Sequence, residues 1–515
     1  MNLLKNIILI SFLFVQRGLC GQNESNNWYF GASAGLNFSS GIATAVTTFN
    51  LIQSEGCSSI SDNLGNLLFY TNGKQVKNKN HGYMPNGLGL LGSSTSTQSA
   101  VIVKKPGSNT IYYIFTTDDE FGPDGLRYSI VDMSLQGGLG DVTSKNVNIN
   151  TNAREKVTAI QHQNGTDFWI VTHKLFSNQF LSFLLSSSGL NMTPTISSIG
   201  ATTSGLEGIG YLSASLNGNK VAVAKWDLNI VEVFNFNKST GTLSGLKTLT
   251  NSTSPYGVEF SPNDRFLYVS ESLGNGSNVY QYDLLAGTVN NIENSQITLG
   301  NFPIQFGALQ LAPDYKIYLA KFNNGQLGVI NDPDSLGLAC NFNINGLNLL
   351  GKSSILGLPN LPKALLPVFK YSNKCYGDST SFNVLQTDVD SVLWDFGDLS
   401  SGVNNSSLDI SPKHLFTDTG VFTVTLVRYK ASNTYTKSQS VYISPLPIVS
   451  ITPFNPDTLC DGETTTITAG GATTYSWDNG AGTNSSVSVS PSTTTTYTVT
   501  GTNGKSNQID HPITV

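Results

Sequence analysis

Along most of the chain, short apolar stretches of period two alternate with turns rich in Gly, Asn, Asp and Pro, the pattern of half-buried β-strands. One hairpin recurs. Its first strand opens with small residues, a polar turn follows, and an apolar-aromatic strand comes next. In the first copy Gly56-Cys57-Ser58-Ser59-Ile60 passes through Asp62-Asn63-Leu64-Gly65-Asn66 to Leu67-Leu68-Phe69-Tyr70. Further copies centre on Pro106-Gly107-Ser108-Asn109, Asn164-Gly165, Asn217-Gly218-Asn219, Pro262-Asn263-Asp264 and Pro313-Asp314. Such residues supply the positive or preset φ that tight hairpins need. Most hairpins are followed by a third alternating strand, such as Leu126-Arg127-Tyr128-Ser129-Ile130-Val131 or Val279-Tyr280-Gln281-Tyr282.

Leu68, Tyr113, Trp169, Val223, Tyr268 and Tyr318 take equivalent places, so the repeat is about fifty residues long, a period typical of β-propellers with four strands per blade. An array of sandwiches has similar turn spacing. The small residues that open each first strand favour the ring, because inner strands converge on one axis where bulk does not fit. Six hairpins are clear. Trp28-Tyr29-Phe30-Gly31 and Leu358-Pro359-Asn360 are left to form a seventh blade closed from both ends, which removes the free sheet edge. The predicted fold is all-β: a seven-bladed β-propeller followed by two Ig-like β-sandwich domains.

Composition narrows the function classes. Of 515 residues, 28 Lys+Arg and 34 Asp+Glu make 12% charged, against about 25% in an average soluble domain. A net charge of -6 argues against nucleic acid or anionic lipid as a partner. Lys5, the apolar run Ile7–Val15 and the small residues Gly18, Cys20 and Gly21 match a secretory signal, predicted over 1–21. Arg17-Gly18-Leu19 fits a lipidation site at Cys20 poorly. No later stretch is apolar for long enough to predict a transmembrane helix. Cys57, Cys340, Cys375 and Cys460 contain no C-x-x-C pair, and their spacing does not choose among the possible pairings.

From about residue 370 the pattern changes. Trp394-Asp395-Phe396-Gly397-Asp398, Pro412-Lys413-His414-Leu415-Phe416 and Gly420-Val421-Phe422-Thr423-Val424-Thr425-Leu426 occur in order. This segment, 370–445, resembles a polycystic-kidney-disease (PKD) domain, an Ig-like sandwich. The resemblance implies that Trp394 and Phe396 pack the core and that His414 is structural. Leu399 stands where the family usually has glycine, which implies an altered turn. Residues 446–515 carry β-branched alternation around Tyr475-Ser476-Trp477 and Thr493–Thr500 and resemble the Ig-like repeats of bacterial surface proteins.

Trp28-Tyr29-Phe30-Gly31, Glu55-Gly56-Cys57, Gly65–Gly73, Met84-Pro85-Asn86-Gly87, Thr97-Gln98-Ser99-Ala100 and Gly125-Leu126-Arg127-Tyr128 extend the likeness. Residues 22–369 resemble the N-terminal propeller of large secreted Bacteroidota proteins with PKD and Ig-like repeats. Those proteins usually end in a gliding-motility-associated, type IX secretion sorting domain. None is found before Val515, which implies a fragment or another export route. The resemblance implies secretion or surface display and names no ligand.

Several motifs look chemical. Gly31-Ala32-Ser33-Ala34-Gly35 fits G-x-S-x-G without the helix that a nucleophile elbow needs. Gly87-Leu88-Gly89-Leu90-Leu91-Gly92 fits G-x-G-x-x-G without a helix opening on it. Asp332-Pro333-Asp334 with Gly337 lacks the further oxygen ligands of a calcium loop. His81, His162, His173, His414 and His511 show no metal-site spacing. Asp118-Asp119-Glu120 with Asp124 is the densest acidic cluster, read as a solvated loop. Trp226 with Asp227 is a candidate for stacking on sugar, with core packing preferred. No catalytic, cofactor or metal residue is therefore assigned, and no cofactor is expected. The expectation is a secreted or cell-surface binding or adhesion protein, non-catalytic, whose propeller rim and central funnel recognise a glycan or a surface protein. The alternative is an extracellular polysaccharide-active enzyme with a propeller catalytic domain.

Overall fold

Glycines that open the inner strands meet neighbouring backbone at distances that leave no room for a side chain. A Cβ on Gly56 would lie 2.0 Å from the backbone nitrogen of Ser99, and one on Gly307 would lie 2.1 Å from the Leu356 carbonyl oxygen. In a computed structural model these contacts gather the repeats around an axis. It describes residues 23–49, 51–203, 208–274, 276–384, 389–430, 433–446, 449–452, 459–460, 462–502 and 509–514. The expected signal peptide, 1–21, lies outside the described residues.

The chain divides into two compact units, Met1–Leu366 and Pro367–Val515. In the first, each of the six hairpins belongs to its own antiparallel sheet. The innermost strands are Ser58–Ser61, Ala100–Lys104, Ala153–Gln161, Leu212–Ala214, Pro255–Phe260 and Phe306–Leu311. Five of these sheets are simple four-stranded meanders. In the one that starts at Ala153–Gln161, Thr195–Ser198 pairs beside Gln179–Ser186. A further sheet, Asn27–Phe30, Ala34–Asn37 and Thr44–Val46, comes from the N-terminal end.

Closure is visible where the first and last sheets meet. Trp28 is fully buried against Tyr318, ring centroids 5.9 Å apart, and the Ala32 N–H donates to Ser353 O at 2.8 Å. Trp28, Tyr318 and Leu358 share one apolar cluster.

Residues 354–366 then pass along the axis. Leu356 O accepts from the Ala308 N–H, and Asn360 Nδ2 donates to Val157 O at 2.7 Å. Ser58 Oγ donates to Asn360 O, and Lys363 pairs with Glu259. Ala364, Leu365 and Leu366, consecutive in sequence, pack into three different inter-sheet cores. Residues 354–360 thus run beside the inner strands Ser58–Ser61 and Phe306–Leu311.

The second unit holds two pairs of sheets, each around its own core. Phe369, Phe382, Trp394, Phe396 and Phe416 fill the first, where Trp394 Nε1 donates to Asp409 O at 2.8 Å. His414 stacks on Phe396, centroids 4.2 Å apart, and its Nε2 bonds Asp398 Oδ2 at 3.0 Å, a structural placement. Leu399 is exposed and opens a short 3-10 turn, Leu399–Asn405, so the missing glycine costs the core nothing. Ile467, Trp477, Val487, Tyr497 and Val499 fill the second core. Among the described residues the four cysteines, Cys57, Cys340, Cys375 and Cys460, are free thiols.

Candidate functional site at the upper mouth of the ring

All six innermost strands begin on one face of the ring, the upper face. Their antiparallel partners therefore end there, and the loops that follow second strands project from it. Charged residues gather near the starts of the inner strands. Glu55, half-buried, accepts at Oε2 from the buried Tyr256 hydroxyl at 2.8 Å, across 201 residues of sequence. Tyr211 lies beside Tyr256, ring centroids 5.7 Å apart. Burial pushes the Glu55 carboxyl up to about 7; the Tyr256 bond opposes this, while Glu120 and Asp119 add to it.

Neighbouring charges serve the fold. Glu155, fully buried, accepts at Oε2 from the Thr97 N–H and hydroxyl and at Oε1 from the Glu120 N–H. Lys156 donates to Ala224 O at 2.9 Å, and burial pushes its ammonium down to about 7. Lys225 and Glu232 form a buried ion pair at 2.8 Å, and Glu232 Oε1 accepts from the Ala201 N–H. Burial drives His173 well below the usual imidazole range, against the Phe180 ring.

The acidic cluster singled out from sequence divides by role. Asp118 turns inward and caps its own loop, accepting from the Asp124 N–H at 2.8 Å. Asp124 pairs with Arg127 at 3.0 Å. Asp119 accepts from Ser93 Oγ, and with Glu120 it stands near enough to Glu55 to act on its carboxyl. Trp226 is half-buried, its Nε1 donating to Ser272 O at 3.4 Å, and Asp227 is exposed beside it. Ser33 sits at φ +58 in a turn between two strands, with its Oγ toward Leu51 O. Gly87 lies in strand Tyr83–Leu88, and no helix follows it. Asp334 accepts from the Asn263 N–H and Asp332 from Asn341, ordinary turn bonds. Among the described residues no group of three His, Cys, Asp or Glu is placed to hold a metal ion, and no helix is long and apolar enough to cross a membrane.

Sequence reasoning missed the Glu55–Tyr256 pair. The available signal was an acidic residue directly before the small residues that open an inner strand, at Glu55.

Meander sheets around a common axis define a nearly all-β, propeller-like protein. Among solved structures the chain is similar to a candidate 6-phosphogluconolactonase of Bacteroides uniformis, at 14% identity and a TM-score of 0.41, covering 63% of this chain and 98% of that one. A second such protein, of Bacteroides fragilis, is 11% identical with a TM-score of 0.36, covering 64% and 96%. A Lactobacillus plantarum protein is 14% identical with a TM-score of 0.34, covering 70% and 95%. No family model and no curated protein matches the chain.

The raised Glu55 carboxyl gives a stability prediction with a definite sign. Between the ordinary carboxylate range and about 7 the folded state holds a proton that the unfolded chain has lost, so stability falls as pH rises through that window and levels off above it. Glu55→Gln should flatten part of this slope, by on the order of 2 kcal/mol between pH 4.5 and 7. Urea unfolding across that range checks it; an unchanged slope contradicts the assignment.

Proposed function

We propose that the chain is a non-catalytic binding protein of the cell exterior. In this reading residues 1–21 are a signal peptide, 22–369 a seven-bladed propeller, 370–445 a PKD domain and 446–515 an Ig-like sandwich. The seventh blade joins the N-terminal three-stranded sheet to an innermost strand drawn from residues 353–360, as the Ala32–Ser353 and Cys57–Pro359 bridges favour. The PKD reading is supported by the packing of Trp394 and Phe396 and by the His414–Asp398 bond. A glycan or a surface protein is the partner class.

One observation carries the binding reading. The charged groups around the axis are mostly spent on backbone and on one another, while the upper loops offer large apolar side chains to water: Phe121 at 77%, Ile52 at 67%, Phe176 at 65% and Leu350 at 64% exposure. Large exposed apolar side chains on the loops of one face favour an interaction surface. The competing enzyme reading draws on Glu55 and Tyr256 alone.

The test is to immobilise the chain from residue 22, pass soluble glycans, cell-wall digests and surface-protein extracts over it, and score both retention and released fragments. Retention without product is expected. Product formation abolished by Glu55→Gln would establish the enzyme instead.

A further inference from the structure

We propose that the upper face docks a protein segment in which Lys or Arg is flanked by apolar residues. The basic group would sit over Glu55, Asp119 and Glu120, and the flanks would lie on Phe121, Ile52 and Phe176. This deepens the binding reading and rests on it.

Proximity comes first. Phe121 follows Glu120 directly, and its N–H donates to Asp119 Oδ1 at 3.1 Å, which ties the exposed ring to the acidic loop. Ile52 lies three residues before Glu55 in the connection that enters strand Ser58–Ser61. Phe176 stands at φ +56 in a loop fastened by the Leu175 N–H to Asn152 O, next to the strand that carries Glu155. Leu350 belongs to a loop on the same face, fastened by the Leu349 N–H to Gly325 O.

Charge then selects the occupant. Of the cations beside this loop, Arg127 pairs with Asp124, and Arg154 directs its guanidinium to carbonyl oxygens, Nη1 to Glu120 O and Nε to Thr151 O. Lys156 is buried and turned to Ala224 O. At the mouth, Asp119 and Glu120 add a smaller repulsion to the burial that already opposes ionisation of Glu55. An ammonium or guanidinium group relieves that repulsion, and an aromatic face beside carboxylates suits a cation further. The aliphatic residues decide between a peptide and a sugar. Sugars stack on flat rings, whereas Ile52 and Leu350 offer none and match apolar side chains.

The experiment is fluorescence anisotropy with the chain from residue 22 and three labelled twelve-residue probes: alternating Lys and Leu, alternating Glu and Leu, and alternating Lys and Ser. Saturable binding of the Lys/Leu probe is expected, at least tenfold tighter than either other probe. It should weaken at least tenfold in Glu55→Gln/Glu120→Gln and, separately, in Phe121→Ala. Phe121 is mostly exposed, so that variant should keep the parent's thermal unfolding curve. Equal binding of the Glu/Leu probe, or affinity unmoved by both variants, overturns the proposal. So does retention of neutral glucan or chitosan oligosaccharides in place of the Lys/Leu probe. In that last case the binding reading survives and the peptide inference alone falls; release of product from retained material sinks both.

Discussion

Gly357→Ala is expected to cost the ring more than about 4 kcal/mol, enough to abolish its cooperative unfolding transition. An added Cβ would stand 1.5 Å from the Glu55 carbonyl oxygen and 2.2 Å from its carbonyl carbon, so backbone and not a flexible side chain would have to move. Neither side is free to yield. Leu356 is fixed by bonds to Ser54 and Ala308, and Leu358 is fully buried with its N–H toward the Tyr211 hydroxyl. Gly274→Ala, on an upper loop with nothing within 4 Å of the added carbon, is the control and should change stability by less than about 0.5 kcal/mol. Thermal unfolding followed by tryptophan fluorescence reports on both, since Trp28 is buried at the closure. If Gly357→Ala melts with the parent, Gly357 does not pack against the Glu55 backbone.

That prediction depends on something the sequence shows only in part. The hairpins were legible because each is local: a polar turn such as Asn217-Gly218-Asn219 joins strands that pair within a few residues, as Ala214 does with Val221. The crowding at the inner strands was legible too, because small residues recur where each strand opens, and Gly56, Gly257 and Gly307 do meet backbone or side chain within 3 Å of an added Cβ. In the second unit the Trp394, His414 and Gly420 motifs mark one strand or turn each and fall where the packing needs them. The axial path was not legible. Its partners are separated by long stretches of chain, 203 residues from Asn360 to Val157 and 302 from Ser58 to Asn360, and they meet only once the ring has closed. Glu55 and Tyr256 stayed hidden for the same reason. Neither belongs to a spaced motif, and each reads alone as an ordinary residue at a strand's edge. The acidic run at Asp118-Asp119-Glu120 was visible, but its division between loop-capping Asp118 and mouth-facing Asp119 depends on where Gly125 and Ser93 fold back.

The second large effect concerns the ion pair that anchors this axial segment. Glu259 is almost fully buried; its Oε1 accepts from the Phe260 N–H and Ser213 Oγ, and its Oε2 from the Leu311 N–H and the Lys363 ammonium. Removing one partner of a buried pair leaves the other charge without compensation, at a cost of about 3–5 kcal/mol. Lys363→Met and Glu259→Gln should each destabilise the ring by roughly that amount. The amide introduced by Glu259→Gln keeps one acceptor oxygen for the two backbone donors, the Leu311 and Phe260 N–H groups, so the Glu259→Gln/Lys363→Met double variant removes both charges and leaves one backbone donor unpaired. It should fall short of the sum of the single losses by at least about 2 kcal/mol. Urea unfolding of the four species measures this coupling. Additive losses would mean that the two side chains do not meet, and that the segment leaving the axis at Leu366 is held by packing of Ala364, Leu365 and Leu366 alone.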